Sequence, residues 1–103
     1  MNNKILLIAK NKASQSISRY RVSALGFNKK GELVCTSFNK PRFERKGGGT
    51  HAEMQVMRMH PKSVKVIIIC RTGGKGDLLP IHACATCQSK ANDLGIKIKT
   101  ISN

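Results

Sequence analysis

Acidic residues are scarce. Five Asp and Glu stand against nineteen Lys and Arg, for a formal net charge of +14. That imbalance exceeds what solubility asks of a small domain and implies a phosphate-bearing partner, a nucleotide or a nucleic acid. The excess runs along the whole chain, +9 over residues 1–50 and +5 over residues 51–103, so it is not a basic tail on a neutral body. Tryptophan is absent, and base stacking would have to use Tyr20, Phe27, Phe38 or Phe43. No apolar run is long enough to span a membrane, and the short one within Lys4–Lys10 is not followed by a small-residue cleavage site. The expectation is therefore a cytoplasmic, reducing setting with no membrane partner. There, four cysteines do not read as a disulfide framework, and Cys84-Ala85-Thr86-Cys87 reads as metal-binding or redox-active. Repeats and low-complexity segments are lacking too, and Gly47–Gly49 does not carry the residues of a Walker loop and reads as a hinge.

A chain of 103 residues has room for one domain, 1–103, and one active site. Ile5, Ala9 and Ala13 recur four apart, with Lys10 and Lys12 on the other side, which predicts an amphipathic helix over 4–14. Alternation over 19–27 and 32–38, around the turn-rich Asn28-Lys29-Lys30-Gly31, predicts an antiparallel hairpin. Residues 40–49 form a basic, glycine-rich loop expected to be mobile without a ligand. Thr50 is the expected N-cap of a helix from His51 to His60, with Glu53 completing a capping box and Pro61 ending it. Val64–Arg71 is a continuous apolar strand, a third helix spans 84–94 and stops at Gly95, and Ile96, Ile98 and Ile101 mark a last strand. The predicted fold is α/β, three-layer α-β-α, with a mixed sheet of about four strands in α-β-β-α-β-α-β order.

His51-Ala52-Glu53 opens one helix and Cys84-Ala85-Thr86-Cys87 opens the next, with one buried strand between them. Two such helix starts can face each other over one end of a sheet, and residues three apart in a first turn project to one side. Helix-terminal N–H groups and a metal both favour the thiolate. His51, Cys84 and Cys87 then make three ligands, and tetrahedral zinc keeps a fourth position for water. Glu53 is placed to accept a proton from that water without binding the metal.

His-x-Glu followed by Cys-x-x-Cys resembles the cytidine deaminase-like zinc deaminases, and the order of elements is similar over nearly the whole chain. The resemblance implies Zn²⁺ held by His51, Cys84 and Cys87, and Glu53 as general acid and base. It also implies that Asn39 contacts the substrate's sugar and the Ala52 N–H its base. His82 is a candidate pocket residue beside the ligands. Ala83 stands where the family usually has proline, in the loop that receives the leaving amine. Many family members continue with a further helix and strand, so a homo-oligomer completing the substrate wall is the expectation here.

A histidine as first ligand is more similar to deoxycytidylate, polynucleotide and tRNA adenosine deaminases than to free-nucleoside enzymes. The expected reaction is hydrolytic deamination of cytosine to uracil in a nucleotide or nucleic acid, single strands slightly preferred. Arg42, Arg45 and Lys46 are expected to hold its phosphates. The alternatives are an adenosine deaminase of a tRNA-like substrate and a non-catalytic, zinc-stabilised nucleic-acid-binding module. A closed zinc knuckle with His82 or His60 as fourth ligand and a thioredoxin-like cysteine pair also stay open. Cys35, Cys70, Met54, Met57 and Met59 read as core.

Overall fold

The computed structural model describes residues 3–14, 21–41, 49–73, 78–79, 81, 83 and 85–101. Helix α1 (Asn3–Ser14) turns Ala9 and Ala13 toward the sheet, and Ile5, Leu6 and Ile8 pack at its margin. The two alanines bring the helix backbone close enough for the Ser23 hydroxyl to donate to the Ala9 carbonyl at 2.7 Å.

Strands β1 (Arg21–Phe27) and β2 (Leu33–Phe38) form the expected antiparallel hairpin. Its turn is set by Asn28, whose Oδ1 accepts from the N–H groups of Lys30 and Glu32, and by Gly31 at φ +83°. The basic loop leaves and returns through a two-residue ladder, β3 (Lys40–Pro41) with β4 (Gly49–Thr50). Residues 42–48, with Arg42, Arg45 and Lys46, lie outside the described residues, as do His82 and Cys84.

Strand β5 (Val66–Thr72) is central. It pairs antiparallel with β1 along one edge. Its other edge is shared by β7 (Lys97–Thr100), parallel to Val66–Ile69, and by β6 (Leu78–Leu79), antiparallel to Arg71 and Thr72. The main sheet is therefore mixed, in the order β2-β1-β5, with β7 and the short β6 both pairing with the far edge of β5 at different positions along it.

Alternation assigns the faces. Leu25, Phe27, Ile68 and Cys70 meet α1 on one side. On the other side, Val22, Ala24, Ile67 and Ile69 meet α2 (Ala52–Met59) and α3 (Ala85–Leu94). Burial on both faces is why β5 reads as a continuous apolar run. The layers are α-β-α, as the sequence predicts.

Helix α2 begins one residue later than predicted. Thr50 is extended and paired with Lys40, so it does not cap the helix; His51 is the N-cap, in extended conformation and with no side-chain capping bond. The capping box with Glu53 is thus absent. The helix ends as Pro61 requires, with the His60 N–H bonded to the Val56 carbonyl. Met57 is core and Met54 packs against it, but Met59 is 54% exposed, because it falls on the solvent side of a short helix.

Helix α3 stops in a complete Schellman motif. Gly95 at φ +70° donates to Asn92, Ile96 donates to Ala91, and Ile96 and Ala91 share the core. No helix among the described residues is long and apolar enough to cross a membrane.

Candidate metal centre

Two bonds tie the start of α2 to the end of β2. The Ser37 hydroxyl, buried, donates to the Ala52 carbonyl at 2.6 Å, and Gln55 Nε2 donates to the Phe38 carbonyl at 2.7 Å. These contacts fix where His51 and Glu53 stand. Depth is set by Gly26, where any Cβ would lie 2.9 Å from Val56 and Val64 methyls, so α2 seats directly on the backbone of β1.

Cys87 sits in the first turn of α3 and faces the same end of the sheet, buried. Its Sγ lies 3.4 Å from His51 Nδ1. The donor atoms of His51, Glu53 and Cys87 all fall within 4.8 Å of one another. His51 is exposed at the mouth, while Glu53 is only 4% exposed. Zinc–nitrogen and zinc–sulfur bonds of ordinary length at a tetrahedral angle place the two donors about 3.6 Å apart, so the observed spacing fits one ion between them. An imidazole, a thiol and a carboxylate so placed can hold a metal ion or exchange protons with a ligand on it.

The other described cysteines are not part of this cluster. Burial pushes the Cys70 thiol up, against the pull of Lys10 and a bond to Ser23. Burial likewise pushes Cys35 up, against a bond to the Gly26 backbone. Both behave as packed neutral thiols, as the sequence predicts. His60 is at the far end of α2, roughly 13 Å along the axis from His51, and cannot complete the site.

The remaining expected residues divide. Asn39 extends the hairpin pairing: its N–H donates to the Val22 carbonyl and its Oδ1 accepts from the Val22 N–H at 2.9 Å. It stands two residues beyond Ser37, next to the row in which Ser37 pairs with Ala24. The Ala52 N–H belongs to the first turn of α2, where backbone donors have no partner within the helix. Ala83 is half-buried against the core beneath α3. Ser37 and Gln55 were not predicted from sequence; their partners are backbone carbonyls on another element, and only the strand register reveals them.

Sequence comparison matches no protein family and no curated protein. Solved structures do match. Cytidine deaminase from Mycobacterium leprae superposes with a TM-score of 0.64 at 22% identity, covering 97% of this chain and 88% of that one. Cytidine deaminase from Mycobacterium tuberculosis superposes with a TM-score of 0.59 at 18% identity, covering 94% of this chain and 84% of that one. At these identities the likeness speaks for architecture, and the chain has the cytidine deaminase-like fold.

Proposed function

We propose that the protein is a zinc-dependent deaminase that converts cytosine to uracil in a phosphate-bearing substrate, single-stranded nucleic acid being slightly preferred over a free nucleotide. The observation that carries this is a buried carboxylate, Glu53, gathered with His51 and Cys87 at two converging helix starts on this fold. A closed structural zinc site has no use for such a carboxylate.

His51, Cys84 and Cys87 would hold the ion. Zinc, when bound, supplies Lewis acidity that brings a water's pKa toward neutrality. Cys87 is positioned for this in the first turn of α3, at the positive end of the helix dipole. Glu53 takes one proton of the attacking water and delivers it to the ring nitrogen, then takes that water's second proton and delivers it to the amine as the carbon–nitrogen bond breaks. Its burial keeps that proton from bulk water. The Ala52 N–H meets the base, and Asn39, oriented by Val22, meets the sugar. His82 and Ala83 line the pocket, and Arg42, Arg45 and Lys46 meet phosphate.

The test is ammonia release from cytidine, deoxycytidine, their monophosphates, single-stranded DNA and RNA, and the adenosine counterparts. Release from cytosine substrates, greatest with phosphate present, is the expected result. Release from adenosine substrates alone would make it an adenosine deaminase, and binding without release would make it a non-catalytic module.

A further inference from the structure

The face of the sheet turned away from the metal centre carries a strip of positive charge. β7 alternates lysine with isoleucine, and its parallel register on β5 assigns each residue to a face. Ile98 lies beside Ile67, in the core under α2 and α3. Lys97 and Lys99 lie beside Val66 and Ile68, which belong to the core under α1. Both lysines therefore stand on the α1 side of the sheet, yet both are exposed, because α1 lies over β1 and β5 rather than over β7.

Helix α1 adds a third cation. Lys10 and Lys12 are two residues apart, which puts them on opposite flanks of the helix, about 200° around its axis from one another. Lys12 reaches toward β2, with its Nζ 5.2 Å from the centre of the Phe38 ring. Lys10 consequently leaves from the flank that faces β5 and β7, where its charge acts on the Cys70 thiol. Leu6, one turn before Lys10, joins Val66 and Ile68 in an apolar floor between the helix and β7. Among the described residues no acid balances this strip. Glu53 and Asp93 belong to α2 and α3, in the layer on the other face, and Glu32 is bonded to Asn28 in the hairpin turn, with β1 and β5 between it and β7.

A single lysine is enough to blunt the edge of a sheet. Here two succeed one another on one face, about 6.6 Å apart along the strand, with a third across the apolar floor. Unbalanced cations so close repel one another and attract a polyanion. We propose that the trough between α1 and β7 binds the sugar–phosphate backbone of a single-stranded nucleic acid, with Lys10, Lys97 and Lys99 each meeting a phosphate. This surface lies on the opposite face from the metal cluster and does not depend on what that cluster does. A strand fits the trough, whereas α1, a cylinder about 10 Å across, stands beside β7 as a wall that holds a flat bilayer away from Lys97 and Lys99.

The experiment follows the fluorescence anisotropy of a labelled oligouridylate, which offers the metal cluster no cytosine or adenine, with the full chain across a salt series. Wild type is compared with a Lys97→Gln, Lys99→Gln double variant and with a Lys29→Gln, Lys30→Gln control, which removes the same charge from exposed positions in the hairpin turn. Loss of two phosphate contacts should lower the slope of log K against log salt by about 1.4 and the affinity by about tenfold or more near 0.1 M salt, with a much smaller change in the control. Arginine at positions 97 and 99 should retain binding. Lys10→Gln, on the other wall, gives an independent reading that does not depend on the folding of the β7 variants: its slope should fall by about 0.7. A wild-type chain that does not bind the strand, equal losses in the two double variants, or an unchanged slope in Lys10→Gln overturns the proposal. Binding to phosphatidylserine vesicles that needs Lys97 and Lys99, when binding of the oligouridylate does not, assigns the strip to a membrane surface and also overturns it.

Discussion

Gly26→Ala is a severe test of how the fold positions the metal cluster. The added Cβ would lie 2.9 Å from Val56 Cγ1, 2.9 Å from Val64 Cγ2 and 3.1 Å from Cys35 Sγ. Val56 and Val64 are fully buried and β-branched, so neither methyl can rotate away cheaply. The relief must come from α2 lifting off β1 by several tenths of an ångström. Overpacking of this kind costs about 1–3 kcal/mol. For a domain of this size that lowers Tm by roughly 5–20 °C. Because α2 carries His51 and Glu53, zinc affinity should fall as well, by about tenfold or more, as for other changes in the support of metal ligands. Urea melts and zinc competition titrations measure the two effects. Adding Val56→Ala removes one of the three contacts and should restore part of the stability, appearing as coupling in a double-mutant cycle. A Gly26→Ala protein with wild-type melting and wild-type zinc affinity would refute the close seating of α2.

Glu53→Gln should keep fold and zinc but lower kcat by at least ~10²–10⁴-fold, because one group serves more than one proton transfer; zinc content and ammonia release are measured on the same sample, and loss of zinc would reassign Glu53 as a ligand. His51→Ala and Cys87→Ala should each abolish stoichiometric zinc binding, whereas Cys35→Ala should not, as metal analysis after dialysis would show. Burial raises the folded pKa of Cys70 and Cys35 from the ordinary 9.0, so their contribution to stability is full below the unfolded thiol pKa and is lost as pH rises through the raised folded values. Urea midpoints should accordingly decline in alkali, and less steeply in Cys70→Ala; an equal decline would contradict the assignment.

What was legible in the sequence was whatever depends on local spacing. Ala9 and Ala13 marked the face of α1, Asn28 and Gly31 the hairpin turn, and Gly95 the end of α3, because each acts within a few residues of itself. His51, Glu53 and Cys87 were legible as candidates for the same reason: residue type and position at or near a helix start single them out. The start of α2 was misread because Thr50 has the residue type of a cap, but its backbone is committed to pairing with Lys40, ten residues earlier in the chain. Ser37 and Gly26 were invisible as supports of the cluster because their roles arise from how β2 and β1 meet α2. Met59 looked like its neighbours Met54 and Met57, and only the exact rotation of a two-turn helix turns it to solvent.

The central claim is most directly tested by following ammonia release from cytidine 5′-monophosphate as zinc is removed and returned. One zinc per chain, loss of release on chelation and recovery on adding one equivalent of Zn²⁺ is the predicted result. A chain that binds one zinc and stays folded, yet releases no ammonia from this or any other cytosine substrate, would contradict it.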